Sequence, residues 1–330
     1  PGEFYAAGFH GEGAAVVTAD KTWYYTDSRY IEAAQQQISG AQVGMIRTGE
    51  TYRSLVEAIV QKAGIRRMGF EDNYMSVAEF GLWREGVSAE LVPASELLET
   101  LRMVKDEHEL AAMREAQRVT DEAFTEILND IKPGVAECEI AAKLTYLMAR
   151  KGAERNSFDP IVACGANGSK PHAVPGKALI EKGQFVTMDF GCVVGGYCSD
   201  MTRTIAVGEP TEEMCFVYAT VLKAQLAGIA AAHGGVTGAQ IHNIAAQVIA
   251  DAGYGAYFGH GFGHSLGIEI HENPRFSPLW DKVIPAGACL SAEPGIYLPG
   301  KFGVRIEDVI MLTEEGCVDI THSPKELIIL

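Results

Sequence analysis

Residues 185–207 form two apolar segments that read as strands, each carrying an aspartate. β-Branched and aromatic residues fill both flanks and Gly195-Gly196 lies between them, which predicts two strands joined by a two-residue turn. That register sets Asp189 opposite Thr202, and Asp189 and Asp200 share one face of the hairpin. Two carboxylates on an apolar hairpin repel each other and lose hydration unless a positive group lies between them. The pattern therefore predicts a cation between the two aspartates, although a solvated strand end would explain either of them alone.

A second copy of this pattern lies near the C-terminus. The segment KGQFVTMDFG, which contains Asp189, matches AGACLSAEPG, which contains Glu293. The segment GYCSD, which ends in Asp200, matches GVRIE, which ends in Glu307. A turn centred on Gly300 sets Glu293 opposite Glu307. Each copy therefore carries a pair of carboxylates.

The helices that precede the two hairpins repeat as well. The segment PGVAECEIAAKLTYLMARKG matches GGVTGAQIHNIAAQVIADAG, with Gly134 at the position of Gly235 and Gly152 at that of Gly253. The second half is therefore predicted to be a diverged copy of the first, folded about a pseudo-twofold axis. That symmetry brings four carboxylates to one centre, which is the arrangement of a two-metal site.

Upstream of the repeat, short strand patterns alternate with helical ones. The predicted elements are a hairpin at 13–25, a helix that begins at Asp27 with Asp or Ser as N-cap, helices at 52–63 and 76–85, and strands at 67–71 and 90–93. They predict a mixed α/β domain at residues 1–100. A segment without a Gly/Pro-rich linker leads from it into a larger domain at residues 101–330.

Apolar residues at helical spacing predict four long helices in the larger domain, at 106–131, 137–151, 211–233 and 238–252. A Pro-Gly pair at 133–134 stops the first of them. Together with the hairpins and a strand at 160–164, these helices predict an α+β fold.

The composition is that of an ordinary globular protein, with 47% hydrophobic and 21% charged residues among 330. A formal charge of −16 opposes binding to nucleic acid and to anionic membranes. No apolar run approaches the roughly 20 residues that a membrane helix needs. The chain starts at Pro1 without signal-peptide anatomy, and we expect a missing natural N-terminus and a cytoplasmic location.

The seven cysteines are an odd number without a CxxC pair, as expected of reduced cytoplasmic residues. Cys192 and Cys198 lie close enough to the aspartates in sequence to be candidate soft metal ligands. Strand alternation turns Cys192 away from Asp189, whereas Cys198 shares the face of Asp200 one step nearer the turn. Packing is therefore the expected role of both cysteines.

Three of the nine histidines, His260, His264 and His271, fall within twelve residues. The spacing of His260 and His264 resembles that of a helical zinc pair, but Gly261 and Gly263 oppose a helix and the motif's glutamate is missing. Glycines in this segment are expected to let the backbone approach a ligand closely. The alternative is a glycine loop with incidental histidines, which the clustering disfavours.

Another histidine, His172, lies between Pro171 and Pro175 in a loop-rich segment. The prolines stiffen the backbone, which suits a side chain that must be positioned. An exposed loop histidine without a function is the alternative, and the residues alone leave both interpretations open.

Five blocks of sequence carry a resemblance to a known family. MDFG, SDMTRT, GHGFGHSLGIEIHE, SAEPGIY and GVRIED, which contain Asp189, Asp200, His264, Glu293 and Glu307, resemble the five metal-ligand blocks of the pita-bread metallopeptidases, in the Xaa-Pro aminopeptidase and prolidase branch. The resemblance covers residues 101–330 and implies a pita-bread (creatinase/aminopeptidase) fold with an internal duplication. Residues 5–34 are similar to the creatinase-like N-terminal domain of that branch, which implies a smaller α/β domain truncated at its start.

The resemblance implies a site for two divalent metal ions. Asp200 and Glu307 would bridge the ions, Asp189 would complete one shell, and His264 with Glu293 would complete the other. Four carboxylates and one imidazole form an oxygen-rich site that favours Mn²⁺, with Co²⁺, Fe²⁺ or Zn²⁺ as other occupants.

The resemblance also implies metal-assisted hydrolysis of a peptide, in which the ions activate a water and polarise the scissile carbonyl. Glu293 would carry the proton from that water to the leaving proline nitrogen. His271 and His172 match positions that donate to the tetrahedral oxyanion and to the substrate backbone, and His260 and Arg305 match positions that line the substrate.

The function that the resemblance favours is an Xaa-Pro aminopeptidase, which acts on peptides with proline at the second position. A prolidase, which accepts only dipeptides, shares all the residues above and is the alternative. A pita-bread module that binds a peptide or protein without catalysis is a more remote one, because such modules lack ligands and none is missing here. Family members pair through their N-terminal domains, so the resemblance also implies a homodimer.

Overall fold

The computed structural model describes all 330 residues and divides them into two compact units, Pro1–Leu101 and Arg102–Leu330. The division falls within one helix, Ser95–Met103, so that a helix rather than an irregular linker joins the units. Separate clusters of buried apolar side chains form the cores of the two units.

The N-terminal unit is a small mixed α/β domain. Its elements are α1 (Gly2–Ala7), β1 (Gly13–Val17), β2 (Thr22–Thr26), α2 (Ile31–Gln37), β3 (Gln42–Met45), α3 (Tyr52–Ala63), β4 (Arg67–Phe70), α4 (Val77–Gly86), β5 (Glu90–Pro93) and α5 (Ser95–Met103). β1 pairs with β2 in antiparallel fashion, β3 runs parallel to β2, and β4 and β5 form a separate parallel pair. The predicted hairpin, the helices α3 and α4 and the strands β4 and β5 are confirmed.

The predicted start of α2 at Asp27 is wrong, because Asp27 uses its carboxylate in a turn. Its Oδ1 accepts a hydrogen bond of 2.8 Å from the backbone N–H of Arg29, and the Arg29 guanidinium donates to the same carboxylate. The helix begins instead at Ile31, after Tyr30 at the N-cap and without a capping side chain. The carbonyl of Asp27 accepts from the N–H groups of Tyr30 and Ile31, which closes a single turn, and the next carbonyl to accept a helical bond is that of Tyr30.

The C-terminal unit combines four long helices with thirteen strands. The helices are α6 (Glu107–Ile127), α7 (Glu137–Arg150), α8 (Glu212–Ala231) and α9 (Gly238–Asp251). The strands are β6 (Arg155–Asn156), β7 (Ile161–Cys164), β8 (Gln184–Phe190), β9 (Cys192–Val194), β10 (Tyr197–Cys198), β11 (Met201–Val207), β12 (Gly263–Ser265), β13 (Glu272–Phe276), β14 (Cys289–Ala292), β15 (Gly295–Leu298), β16 (Phe302–Arg305), β17 (Asp308–Leu312) and β18 (Cys317–Asp319). They form sheets of order β11-β8-β7, β10-β9-β6, β13-β12-β14-β17-β18 and β15-β16.

Both hairpins have the predicted registers. β8 and β11 pair in antiparallel fashion with Asp189 opposite Thr202, and the same register continues through β9 and β10 to the two-glycine turn. In the second hairpin, the pairs of β14 with β17 on one side and of β15 with β16 on the other set Glu293 opposite Glu307.

The two halves of the C-terminal unit repeat each other down to single hydrogen bonds. The N–H of Gly134 donates to the carbonyl of Ile180 at 2.9 Å, and the N–H of Gly235 donates to the carbonyl of Ile284 at 2.8 Å. Both glycines have a left-handed backbone, with φ of 92° and 96°, which explains why glycine recurs at this position. The predicted internal duplication is therefore present in the fold.

The expectation that no apolar run approaches the length of a membrane span is wrong for one helix. By length and composition alone, α8 is long and apolar enough to cross a membrane. Its Val217, Val221 and Ala224 are fully buried in the core of the C-terminal unit. Since the core helix of a globular domain meets the same criteria, α8 is weak support for a membrane span.

We expect Gly191→Ala to destabilise the C-terminal unit, because a Cβ at this position would lie 2.0 Å from the carbonyl oxygen of Ser199. The added methyl group should push the backbone at Gly191 away from that at Ser199 and lower the free energy of unfolding by about 1–3 kcal/mol, measured by urea denaturation. The matched control is Gly316→Ala, where a Cβ meets nothing within 4 Å. The control should change the free energy by less than about 0.5 kcal/mol, and an equally small effect at Gly191 would contradict this account.

Candidate metal centre

Four acidic residues and one histidine converge where the two hairpins meet. Asp189 is on β8, Asp200 precedes β11, His264 is on β12, Glu293 follows β14 and Glu307 precedes β17. Asp200 and Glu307 are almost fully buried, with 4% and 1% of their surface exposed. One oxygen of each of these two carboxylates and a ring nitrogen of His264 all lie within 4.8 Å of one another, a separation that one metal ion would span.

The ring of His264 is oriented for a metal ligand. Its Nδ1 lies 3.1 Å from the carbonyl oxygen of Ser265, which can only accept, so Nδ1 carries the proton. The lone pair of Nε2 therefore faces Glu293 Oε1 at 3.3 Å and Asp200 Oδ2 at 3.6 Å. A lone pair opposed to two carboxylates is repelled unless a cation lies between them. Burial lowers the pKa of His264 to about 4, which keeps the ring neutral at pH 7.

The carboxylates of this centre repel one another and are suited to bind divalent cations. Asp189 Oδ1 and Asp200 Oδ1 are buried and have no hydrogen-bond partner. Burial, and next the neighbouring carboxylates, raise the pKa of Asp200 and of Glu307 well above their ordinary values, and burial raises the pKa of Glu293. Unpartnered oxygens and mutually repelling acids form the donor set that hard divalent cations prefer.

Arg305 lies beside this centre, and its guanidinium group donates hydrogen bonds to other groups of the protein. Its Nη2 donates to Asp189 Oδ2 at 2.6 Å, its Nη1 to the Tyr297 hydroxyl at 2.9 Å and to the Pro171 carbonyl at 3.3 Å, and its Nε to the Thr202 hydroxyl at 2.9 Å. Only 4% of the residue is exposed. The geometry gives Arg305 the role of orienting Asp189, and the substrate contact expected from the sequence stays a prediction.

His260 is fixed through the same arginine. Because Arg305 can only donate, the Tyr297 hydroxyl accepts from it and donates its own proton to His260 Nε2 at 2.9 Å. His260 Nδ1 then donates to the carbonyl of Gly261 at 2.8 Å. Burial lowers the pKa of His260, which agrees with this neutral tautomer.

Three site residues were missed by the sequence analysis. The Thr202 hydroxyl donates to Glu307 Oε2 at 2.6 Å, the Ser291 hydroxyl donates to Glu293 Oε1 at 2.9 Å, and Tyr297 joins Arg305 to His260. A signal was present for Thr202, which the predicted register sets opposite Asp189. Ser291 lies two residues before Glu293 on the same strand face, and alternation along β14 would have found it.

The two remaining histidines take different positions. The chain turns after β12 and brings the ring of His271 to 4.5 Å from that of His264, measured between centroids, in an edge-to-face arrangement. Burial lowers the pKa of His271 to about 4. His172 is exposed on the loop after β7, next to Pro171, whose carbonyl Arg305 holds. The roles expected of both histidines stay predictions.

The glycines beside His264 serve strand packing. A Cβ at Gly263 would lie 1.9 Å from the carbonyl oxygen of Ser291 on the neighbouring strand β14. This close approach aligns β12 with β14, and the backbone N–H of His264 donates to the Ser291 hydroxyl at 3.0 Å. The close contact at Gly263 is with the strand β14, and the approach of this segment to a ligand stays a prediction.

Cys192 and Cys198 are buried and lie outside the group of metal-ligating atoms. The thiol of Cys192 contacts the carbonyl oxygen of Ala116 at 3.3 Å, and that of Cys198 contacts the carbonyl oxygen of Ile268 at 3.6 Å. Burial raises the pKa of both thiols, which disfavours the thiolate that binds metals. All seven cysteines are free.

Comparison with known proteins identifies the family. Residues 111–314 match the model of metallopeptidase family M24, and residues 3–104 match that of the creatinase/prolidase N-terminal domain. The chain belongs to metallopeptidase family M24. Its C-terminal unit has the pita-bread fold of that family.

Three relatives of this M24 metallopeptidase match over nearly the whole chain. The uncharacterized peptidase YqhT of Bacillus subtilis is 44% identical over 99% of this chain and 92% of its own length. A solved Xaa-Pro dipeptidase from Bacillus anthracis is 42% identical, with a TM-score of 0.95, over 99% of this chain and 92% of that one. A solved X-Pro aminopeptidase from Thermotoga maritima is 34% identical, with a TM-score of 0.95, over 100% of this chain and 94% of that one.

We expect divalent cations to stabilise this M24 metallopeptidase increasingly as the pH rises. The pKa values of Asp200, Glu293 and Glu307 are raised in the folded state, so the stability that their protons contribute is full below the unfolded pKa and is lost as pH rises through the folded pKa. Cations bind the deprotonated carboxylates and oppose this loss. Thermal unfolding with and without Mn²⁺, from about pH 5 to about pH 8, measures the difference in Tm.

At a cation concentration of about 100 times Kd, the stabilisation should reach about 2.7 kcal/mol. The control variant is Asp200→Asn, which removes one of the acids and should lose most of this stabilisation at every pH. A Tm difference that stays constant or shrinks as the pH rises would contradict the assignment.

We expect Thr202→Val to lower the affinity for Mn²⁺ by about 10- to 100-fold without unfolding the protein, because Glu307 loses the hydroxyl that orients it. Isothermal titration calorimetry measures the affinity. The matched control is Thr187→Val on the paired strand, since the Thr187 hydroxyl is buried but bonds Thr204 and the Gly303 carbonyl rather than a carboxylate. Equal losses in the two variants would mean that Thr202 acts only through the packing of the sheet.

Proposed function

We propose that this M24 metallopeptidase is an Xaa-Pro dipeptidase, which hydrolyses the bond between an N-terminal residue and a C-terminal proline. The observation that supports a metal-dependent hydrolase of either kind is the convergence of four carboxylates with the Nε2 lone pair of His264. All five candidate ligands are present, which disfavours a non-catalytic binding module. The relatives with named activities act on Xaa-Pro peptides by their own descriptions.

The second candidate is an Xaa-Pro aminopeptidase, which the sequence analysis preferred. Both activities share the candidate ligands and histidines, so those residues do not discriminate between them. Sequence identity favours the dipeptidase, since the Bacillus anthracis dipeptidase is 42% identical to this chain and the Thermotoga maritima aminopeptidase 34%, at the same TM-score.

Two divalent cations, when bound, would activate a water molecule and polarise the scissile carbonyl. We infer that Asp200 and Glu307 would contact both ions, that Asp189 would complete one set of ligands, and that His264 and Glu293 would complete the other. Mn²⁺ suits this oxygen-rich set, and Co²⁺, Fe²⁺ and Zn²⁺ are competing occupants.

Glu293 is the residue that we propose to carry the proton. Its Oε1 lies 3.3 Å from His264 Nε2, so the carboxyl group stands at the candidate metal centre, where the attacking water would be held. Ser291 fixes its Oε1 at 2.9 Å, which leaves Oε2 to receive a proton and to deliver it to the departing proline nitrogen. That nitrogen carries no hydrogen in the substrate, because proline lacks a backbone N–H, and its departure as an amine requires one.

His271 and His172 are the proposed hydrogen-bond donors to the substrate. With its pKa lowered to about 4, His271 is neutral at pH 7 and offers one N–H beside His264. A neutral donor stabilises a developing oxyanion without competing with cations for the carboxylates. His172 is exposed on the loop whose Pro171 carbonyl accepts from Arg305, which suits a contact with the substrate rather than with the ions.

The homodimer and the cytoplasmic location expected from the sequence stay predictions. Light scattering of the purified protein tests the first, since a monomeric mass would contradict it. Cell fractionation tests the second.

We expect Mn²⁺-loaded protein to hydrolyse Xaa-Pro dipeptides and to leave Xaa-Pro-Xaa tripeptides nearly uncut, measured by release of the N-terminal amino acid. Asp200→Ala should lose at least about 10³-fold in kcat/KM, because it removes a ligand shared by both ions. The control is Asp251→Ala, an exposed carboxylate on α9 that should leave the rate within about twofold.

Rapid cleavage of tripeptides would favour the aminopeptidase instead. Absence of activity on both substrates, with Mn²⁺ shown to be bound, would favour the binding module.

A further inference from the structure

The loop that carries His172 has little regular structure of its own. Residues 165–176 follow β7 as one short 3₁₀ turn, Gly165–Ser169, and then run without helix or strand. The side chain of His172 is exposed, so its position depends on how the loop backbone is held. Arg305 holds the middle of the loop through the Pro171 carbonyl at 3.3 Å.

A single buried carboxylate holds both ends of this loop. Glu137, the first residue of α7, is 0% exposed. Its Oε1 accepts from the backbone N–H of Cys164 at 2.7 Å, and its Oε2 accepts from the backbone N–H of Gly176 at 3.0 Å. The side-chain amide of Asn167 donates to both oxygens, at 3.0 Å each.

The cost of burying this charge is offset by those four hydrogen bonds. A buried carboxylate is tolerated only when its oxygens are satisfied, and bonds to an ionised acceptor are stronger than bonds between neutral groups. All four bonds come from three donor groups within residues 164–176. Opening the loop would therefore strand a charge in the core, so the Glu137 carboxylate makes loop movement costly.

The internal repeat offers a comparison that isolates this residue. Gly238 occupies the position of Glu137 in the second half, and a Cβ there would lie 2.0 Å from the Arg275 carbonyl oxygen. The backbone bonds around the two positions nevertheless match, since the N–H of Cys138 donates to Gly176 O and the N–H of Ala239 donates to Trp280 O, both at 3.0 Å. The scaffold therefore does not require a carboxylate here, and the half that has one is the half with the His172 loop.

We propose that Glu137 is a positioning residue that holds His172 in place for the substrate. It acts through the 164–176 loop and contacts neither the candidate metal ligands nor the substrate. The kinetic part of the test rests on the proposed Xaa-Pro peptidase function, whereas hydrogen exchange of the loop does not.

The test is a double-mutant cycle with Xaa-Pro dipeptide hydrolysis in saturating Mn²⁺. Glu137→Gln turns one acceptor oxygen into a donor that faces a backbone N–H. We expect kcat/KM to fall about tenfold, through the same parameter, kcat or KM, that His172→Ala changes. In the His172→Ala background the same substitution should change kcat/KM by less than about twofold, because the residue that it positions is gone.

The matched control is Glu139→Gln. Glu139 is an exposed glutamate two residues further along the same helix, and its substitution should leave kcat/KM within about twofold. Hydrogen exchange in peptides covering 164–176 should accelerate in Glu137→Gln, while the Mn²⁺ affinity stays unchanged. If Glu137→Gln does not fold, Asn167→Ala removes the central bonds of the same carboxylate and should follow the same pattern.

Equal losses of kcat/KM with and without His172 would overturn the proposal, because Glu137 would then act on the fold as a whole. A wild-type protein inactive on every Xaa-Pro peptide would count against the proposed function only. In that case unchanged hydrogen exchange over 164–176 in Glu137→Gln would overturn the proposal that Glu137 holds the loop. Faster hydrogen exchange confined to that loop would support it.

Discussion

Mutual repulsion among buried carboxylates is the constraint on which the C-terminal unit is built. Asp200 and Glu307 are nearly inaccessible to water, and burial together with neighbouring acids raises the pKa of both. Arg305 is the cationic side chain that bonds one of these acids, and its Nη2 donates to Asp189 Oδ2. Hydroxyl groups orient individual oxygens, but they carry no charge with which to balance four acids. Protons balance these acids at low pH, and divalent cations can balance them once the carboxyl groups ionise. The neutral Nε2 of His264 faces the same acids and is available to such a cation.

Such a cluster needs a rigid frame, and the duplication provides it. Each half delivers its acids from one antiparallel hairpin, in which a register shift would move every ligand to the opposite face. Gly191 and Gly263 let neighbouring backbones approach so closely that a methyl group at either position would collide with a carbonyl oxygen. The strands therefore fix the ligands before any ion binds, and the free energy of ion binding is not consumed in ordering them.

Local chemistry explains why much of this arrangement was predictable. Alternating side chains and a two-glycine turn determine the register of the first hairpin, and the repeated segments carry that register to Glu293 and Glu307. The partners of Arg305 could not be predicted in this way, because Asp189 and Pro171 reach it from distant segments that only the folded chain brings together. The start of α2 was predicted too early, because the turn that Asp27 closes is not continued by a helical bond until the Tyr30 carbonyl.

Departures from the internal symmetry mark where the two halves differ in chemistry. Arg305 occupies the position of Cys198 in the other half, and a guanidinium that orients Asp189 therefore replaces a thiol that packs in the core. Glu137 likewise occupies the position of Gly238 in the other half, and its carboxylate holds the loop of His172. Peptide hydrolysis is itself asymmetric, because water attacks one side of the carbonyl and an amine leaves from the other. A symmetric set of acids can hold two ions, but only residues present in one half can distinguish those two sides.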